Sequence, residues 1–160
     1  VCSSDLNDAP GTLARLRHMG IAAFNVAASV SLITAQRLVR RLCNHCKKAA
    51  SAEDVSHAWG YLSTCDQEAL QPYHVPSPPA IYKAVGCADC DQGYRGRVGL
   101  YQVMPITPAM QALIMQDSDA HALAAQASRE GVLTLRQAGW LKVWQGVTST
   151  QEIMALTHHD

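Results

Sequence analysis

Two short cysteine pairs constrain this chain more than any other feature. Cys43-Asn-His-Cys46 and Cys87-Ala-Asp-Cys90 are each C-x2-C, and forty residues lie between them. A C-x2-C turn aims two sulfurs at one point. Two such turns complete a tetrahedral shell of four thiolates, the donor set that suits Zn²⁺ at ~2.3 Å per bond. The forty residues must then form a substructure that the metal clips shut, and closing so long a loop removes roughly several kcal/mol of chain entropy. Two disulfides would instead imply an oxidising compartment, for which the chain carries no signal-peptide pattern. A thioredoxin-like site uses one C-x2-C in a βαβ setting, and a catalytic zinc needs an open position that four cysteines would close. The expectation is therefore a structural Zn²⁺ held by Cys43, Cys46, Cys87 and Cys90. His45, inside the first knuckle, could replace one ligand but is expected to be exposed. Cys65 has no partner at ligand spacing and reads as a free thiol.

Composition excludes several classes. Apolar residues make up 48% and charged residues 16%, which is incompatible with disorder. Thirteen basic side chains balance thirteen acidic ones, an argument against a nucleic-acid binder or a polybasic membrane anchor. The longest apolar stretch, Ile21–Ala35, is interrupted by Asn25, Ser29, Ser31 and Thr34 and falls short of the ~18 residues of a membrane span. No internal repeat is visible. The opening Val1-Cys2-Ser3-Ser4-Asp5-Leu6 lacks a Met and resembles the translation of a sequencing-library adapter. Residues 1–6 are expected to be an artefact of that origin, with no role for Cys2, and the remainder to be the C-terminal part of a longer protein.

Local signals predict an α+β fold, mostly helical, with a small β-hairpin. Asn7-Asp8-Ala9-Pro10 reads as a helix start that runs to Gly20, with an apolar stripe at Leu13, Leu16 and Met19. A longer helix is predicted over Ala22–Leu42, buried along its first two-thirds. In its last turns Arg37, Arg40 and Arg41 would share one face and suit the negative end of the dipole. Ala52–Leu62 suggests a short helix, and Pro72, Pro76, Pro78 and Pro79 an extended loop. Ile81–Val85 and Leu100–Pro105 are expected to pair as a hairpin with the second knuckle in its turn, and the glycines of Gly93–Gly99 favour a tight turn. Thr107-Pro108 caps a helix to about Gln116. Asp119–Glu130 makes another that stops at Gly131. The capping boxes Thr134–Gln137 and Ser149–Glu152 open two more, ending at Gly146 and about Thr157. Trp140 and Trp144 share a face and read as core. His158 and His159 form a polar tail. The expected organisation is 7–42, 43–104 around the cysteines, and 105–160.

Three stretches together resemble one family: Ala35–Cys46, with Gln-Arg-Leu-Val-Arg-Arg-Leu before the first knuckle; Gly86–Thr107, with Gly-Tyr-Arg-Gly-Arg-Val-Gly and Met-Pro-Ile-Thr; and Glu130–Thr148, running on through Glu152. They look like the C-terminal region of the bacterial secretion ATPases, which include the type II secretion and type IV pilus assembly ATPases. The pilus extension branch is the nearer match. The resemblance implies the C-terminal part of a hexameric P-loop ATPase on the cytoplasmic face of the inner membrane, working on a membrane platform protein. ATP and Mg²⁺ would be handled by parts that precede these residues, because the chain holds no G-x-x-x-x-G-K-[ST]. It further implies that Cys43, Cys46, Cys87 and Cys90 bind zinc. Asn7-Asp8 would be the tail of a His-containing motif, with Asn7 able to report on the γ-phosphate. Arg37, Arg40 and Arg41 would lie near a subunit or domain interface, and Arg95 and Arg97 would face a neighbouring nucleotide; the plain readings are an N-cap, a solvated cationic helix end and a hairpin turn. Gln102 departs from the Glu usual in relatives, which puts any charge-dependent contact there in doubt. A type II secretion ATPase is the runner-up, and a zinc-stapled protein-binding adaptor is the reading from another class.

Overall fold

The computed structural model describes residues 8–62, 64–73 and 80–157. The elements in order are α1 (Ala9–His18), α2 (Ala23–Ser29), β1 (Leu32–Leu42), β2 (Lys48–Ala49), α3 (Ala52–Gly60), α4 (Thr64–Leu70), β3 (Tyr82–Lys83), β4 (Tyr94–Pro105), α5 (Pro108–Met115), α6 (Ala120–Arg129), α7 (Leu135–Trp144) and α8 (Thr150–Thr157). The mixture is α+β, as expected. The chain divides into two compact units, Val1–Gln36 with Tyr101–Leu135, and Arg37–Leu100 with Arg136–Asp160. Both β1 and β4 run from one unit into the other.

The segment predicted to be one long helix is instead α2 followed by β1. Burial explains why: Ile33, Ala35 and Val39 are buried, while Leu32, Thr34, Gln36 and Leu38 face outward. That is the two-residue period of a strand, built on β-branched residues that lose side-chain freedom in a helix. Arg37, Arg40 and Arg41 accordingly lie on a strand and share no helical face. The predicted hairpin is also replaced. β1 pairs with β4, and the two-residue β2 pairs antiparallel with β3, Lys48 opposite Lys83 and Ala49 opposite Tyr82.

Hydrogen bonds fix the β1–β4 register at each end. Ile106 N–H donates to Ser31 O, and Cys43 N–H donates to Gly93 O. Between these pairs β1 takes twelve residue steps and β4 thirteen, so β4 carries one extra residue. Gly96 sits inside β4 at φ 76°, the left-handed conformation of a bulge glycine. The glycine-rich stretch read as a tight turn is thus part of a long, bulged strand.

In the first unit α1, α2, α5 and α6 pack around one apolar cluster that includes Leu13, Val26, Ile33, Met104, Met110, Ile114 and Leu123. Local caps set the helix limits. Asp8 accepts from Gly11 N–H at 2.7 Å, Thr107 from Met110 N–H at 3.2 Å, and Asp119 from Ala122 N–H at 2.8 Å, each meeting an N–H left unpaired at a helix start. Gln102, 3% exposed on β4, accepts the Ala9 N–H at 2.8 Å.

The second unit buries Trp140, Val143 and Ile153 from α7 and α8, together with Val39, Leu42 and Leu100. Trp140 packs on Trp144 at 6.3 Å between ring centroids, and Trp144 on Trp59 at 5.7 Å, the tilted arrangement that aromatic pairs prefer. A Cβ on Gly139 would lie 2.8 Å from Ile153 Cδ1, so the absent side chain is what admits Ile153. The Ser149 hydroxyl accepts from Glu152 N–H at 3.3 Å, one half of the predicted capping box.

Candidate metal centre

The first knuckle begins where β1 ends. Cys43 N–H holds the strand to Gly93 O at 2.8 Å, and Lys47 N–H returns to Cys43 O at 3.0 Å, closing the turn that carries Cys46. The second knuckle closes in the same way, with Cys90 N–H to Cys87 O at 3.3 Å. Its exit needs a glycine. At Gly93 (φ 90°) a Cβ would come within 2.7 Å of Val85 N and Ala84 Cβ. The backbone before the second knuckle therefore lies directly on the residue after it.

These turns bring the four expected cysteines together. Their sulfurs all lie within 4.8 Å of one another, with Cys43 to Cys87 at 3.9 Å, Cys46 to Cys90 at 3.7 Å and Cys87 to Cys90 at 3.5 Å. All four are free thiols, far beyond the ~2.05 Å of a disulfide. A regular tetrahedron with metal–sulfur bonds of ~2.3 Å has edges of about 3.8 Å. The donor set and its spacing therefore fit a single tetrahedral ion. Two backbone donors already point at sulfur: Gly86 N–H on Cys46 at 3.3 Å and Cys87 N–H on Cys90 at 3.2 Å, the kind of contact that stabilises thiolate charge.

The thiols of the shell perturb one another's acidity unequally. Burial pushes the Cys46 thiol up, against the pull of the Gly86 N–H. At Cys87 the Asp89 N–H pulls downward, but the Cys90 sulfur and burial outweigh it and push the thiol up to about 12. Cys90 goes the other way: burial raises it, and the backbone and thiol donors of Cys87 overcome that and hold it low. A divalent ion would reverse this balance by deprotonating all four.

The remaining candidates are placed differently. His45 is exposed, as expected, with Nδ1 at 3.2 Å from Asp89 Oδ2, so the two knuckles are also joined outside the shell. Arg40 is engaged by Glu152. Its guanidinium donates through Nε at 2.9 Å and a terminal nitrogen at 2.7 Å, and its own N–H reaches the other carboxylate oxygen at 2.9 Å. Those contacts raise the Arg40 pKa, and they hold Glu152 low against a burial cost that pushes the other way. The same guanidinium lies 4.1 Å from the Tyr94 ring centroid, and the Tyr94 hydroxyl lies 2.8 Å from the Ser149 hydroxyl. Arg37 is half-buried on β1, whereas Arg41, Arg95 and Arg97 are exposed. Asn7, Cys2, His158 and His159, much of the proline-rich loop and the Cys65 side chain lie outside the described residues. Sequence reasoning missed Glu152, read only as a capping residue, and Asp89. Neither pairing leaves a local signal, since Arg40 and Glu152 are 112 residues apart.

Two comparisons with known proteins bear on what this arrangement belongs to. The profile of the family described as Type II/IV secretion system protein matches residues 3–155. A type IV pilus assembly ATPase, PilB, of Acinetobacter baylyi is 46% identical over 151 residues, covering 94% of this chain and 25% of that protein. PilB of Pseudomonas aeruginosa is 43% identical over 153 residues, again 94% and 25%. The type II secretion system protein E of the same organism is 34% identical over 155 residues, 96% of this chain and 28% of that protein. The chain therefore spans about a quarter of the length of these relatives. Among the described residues no helix is long and apolar enough to cross a membrane.

Proposed function

The chain belongs to the type II/IV secretion system protein family, and on that premise we propose that it is the C-terminal part of a hexameric ATPase that powers type IV pilus assembly. The carrying observation is the identity of 46% and 43% to two pilus assembly ATPases, against 34% to a type II secretion protein over the same stretch. In the whole protein, Mg²⁺-assisted attack of water on the γ-phosphate would change how subunits pack, with positioning and charge stabilisation as the main catalytic effects. The partners on this reading are further copies of the chain and an inner-membrane platform protein at the cytoplasmic face. The four cysteines would hold a structural Zn²⁺, for which their donor chemistry and spacing are the support. On the same reading Arg37 lies near a subunit or domain interface and Arg97 faces a neighbouring nucleotide. Arg40, bound to Glu152, serves the fold.

This sequence contains no phosphate loop, so purified chain should release no phosphate from ATP with Mg²⁺; turnover would refute the assignment of that chemistry elsewhere. The family branch is tested by exchange. Residues 8–157 placed over the matching stretch of the Acinetobacter baylyi pilus ATPase should preserve pilus assembly, and placed over that of the type II protein should not preserve secretion. The opposite pattern would make type II secretion the function. Zinc is tested by metal analysis: near-stoichiometric zinc, lost in Cys87→Ser, supports the staple.

A further inference from the structure

We propose that Arg41 and Arg95 form a binding site for a phosphate-class oxyanion beside the first knuckle. Because Cys43 N–H donates to Gly93 O, Cys43 faces Gly93 across the β1–β4 ladder. Two residues along each strand, Arg41 therefore faces Arg95. Like charges directly opposite in an antiparallel pair repel, and strands normally avoid the arrangement or answer it with carboxylates. Here no carboxylate answers it. Among the described residues neither guanidinium has a hydrogen-bond or ion partner, although the adjacent Arg40 takes Glu152. The two arginines line one cavity of about 240 Å³ with Asn44 and His45, walled by Leu42 and Cys43, and no acidic side chain lines it. Asp89 is held by His45 Nδ1, which leaves the Asn44 amide as a further donor.

That donor set is specific in kind. Two planar guanidiniums present paired N–H groups matched to tetrahedral oxyanions, and an amide adds a neutral donor. The cavity is roomy and open to water, and four thiolates around a dication would carry a charge of about −2 behind the Cys43 wall. Binding should therefore be weak, with inorganic phosphate half-saturating on the order of millimolar. The proposal gives Arg95 this oxyanion as ligand in place of the neighbouring nucleotide that the resemblance implies. It relies on the knuckle geometry and not on the metal's identity.

The test uses zinc-loaded chain and inorganic phosphate, read by thermal shift against sodium chloride of equal ionic strength. Phosphate should raise the unfolding midpoint of the unmodified chain and fail to do so in Arg41→Gln and Arg95→Gln, each weakening apparent binding about tenfold or more. Arg41→Lys should retain part of the shift, and Arg129→Gln, which removes a cation from the other unit, should retain all of it. Without phosphate, either Gln variant should melt no lower than the unmodified chain, since it relieves a repulsion. A lower phosphate-free midpoint would overturn the proposal by showing that the arginine holds the fold. No phosphate-specific shift in the unmodified chain, or a shift unchanged in both Gln variants, would also overturn it. Zinc release to a chromogenic chelator, followed in parallel, separates the two readings. Faster release from the Gln variants with phosphate binding intact would assign the arginines to the metal shell, whereas zinc-free unmodified chain would fault the metal reading alone.

Discussion

The two units solve the same stability problem with different means. The first buries a continuous apolar cluster under four helices, three of them started by a side-chain cap. The second has buried apolar residues too, but its segments are also joined by long-range polar links. The cysteine shell ties residue 43 to residue 87, Arg40 ties β1 to α8 through Glu152, and the Thr148 hydroxyl donates to Arg40 O at 2.8 Å. A helical cluster gains from every buried methylene. A unit rich in turns and two-residue strands gains more from constraints that shorten its loops.

Metal removal should break this comparison most sharply. Structural zinc in small domains contributes on the order of 10 kcal/mol. Chelation, or Cys87→Ser, should abolish amide protection across β2, β3 and both knuckles while leaving α1, α5 and α6 protected by hydrogen exchange. Equal loss in both units would mean that the apolar cluster does not stand by itself. Leu13→Ala tests the other side. It should cost about 2–5 kcal/mol in urea unfolding and leave bound zinc unchanged. Gly139→Ala probes the close helix packing in the second unit. A methyl group 2.8 Å from Ile153 Cδ1 should cost about 1–3 kcal/mol, and Ile153→Val in the same chain should recover part of that; no recovery would place the strain elsewhere.

The smallest effect concerns acid. Glu152 is held below its ordinary range in the folded chain, because Arg40 outweighs the cost of burial. Its stabilisation is therefore complete above the unfolded value of ~4.3 and is lost as pH falls through the lower folded value. Glu152→Gln should flatten the acid limb of stability against pH in that window and leave the slope near neutrality unchanged. A variant whose acid limb matched the unmodified chain would show that the Arg40 link carries no net stability.

What the sequence made legible was local. Thr107-Pro108, Asp119 and Gly131 marked α5 and α6 because a cap acts within three residues of itself. The cysteine shell was legible for a related reason, since C-x2-C encodes a turn geometry outright. β1 is hard to read from sequence because exposed Leu32 and Leu38 mask the alternation of Ile33, Ala35 and Val39, and no Gly or Pro breaks the stretch. Its partner β4 lies some fifty residues further on, and no turn signal links the two. The Arg40–Glu152 link was out of reach because its ends meet only after α7 and α8 have folded back.

Gln102 anchors α1 through an amide. Its side-chain oxygen receives the first N–H of α1 in a buried setting, and an amide has no proton to gain between the extremes of pH. A carboxylate at the same place would accept that N–H more strongly yet lose the contact on acidification. The amide thus makes the anchor of α1 indifferent to acidity, whereas the Glu152 carboxylate leaves its own link to Arg40 sensitive to it.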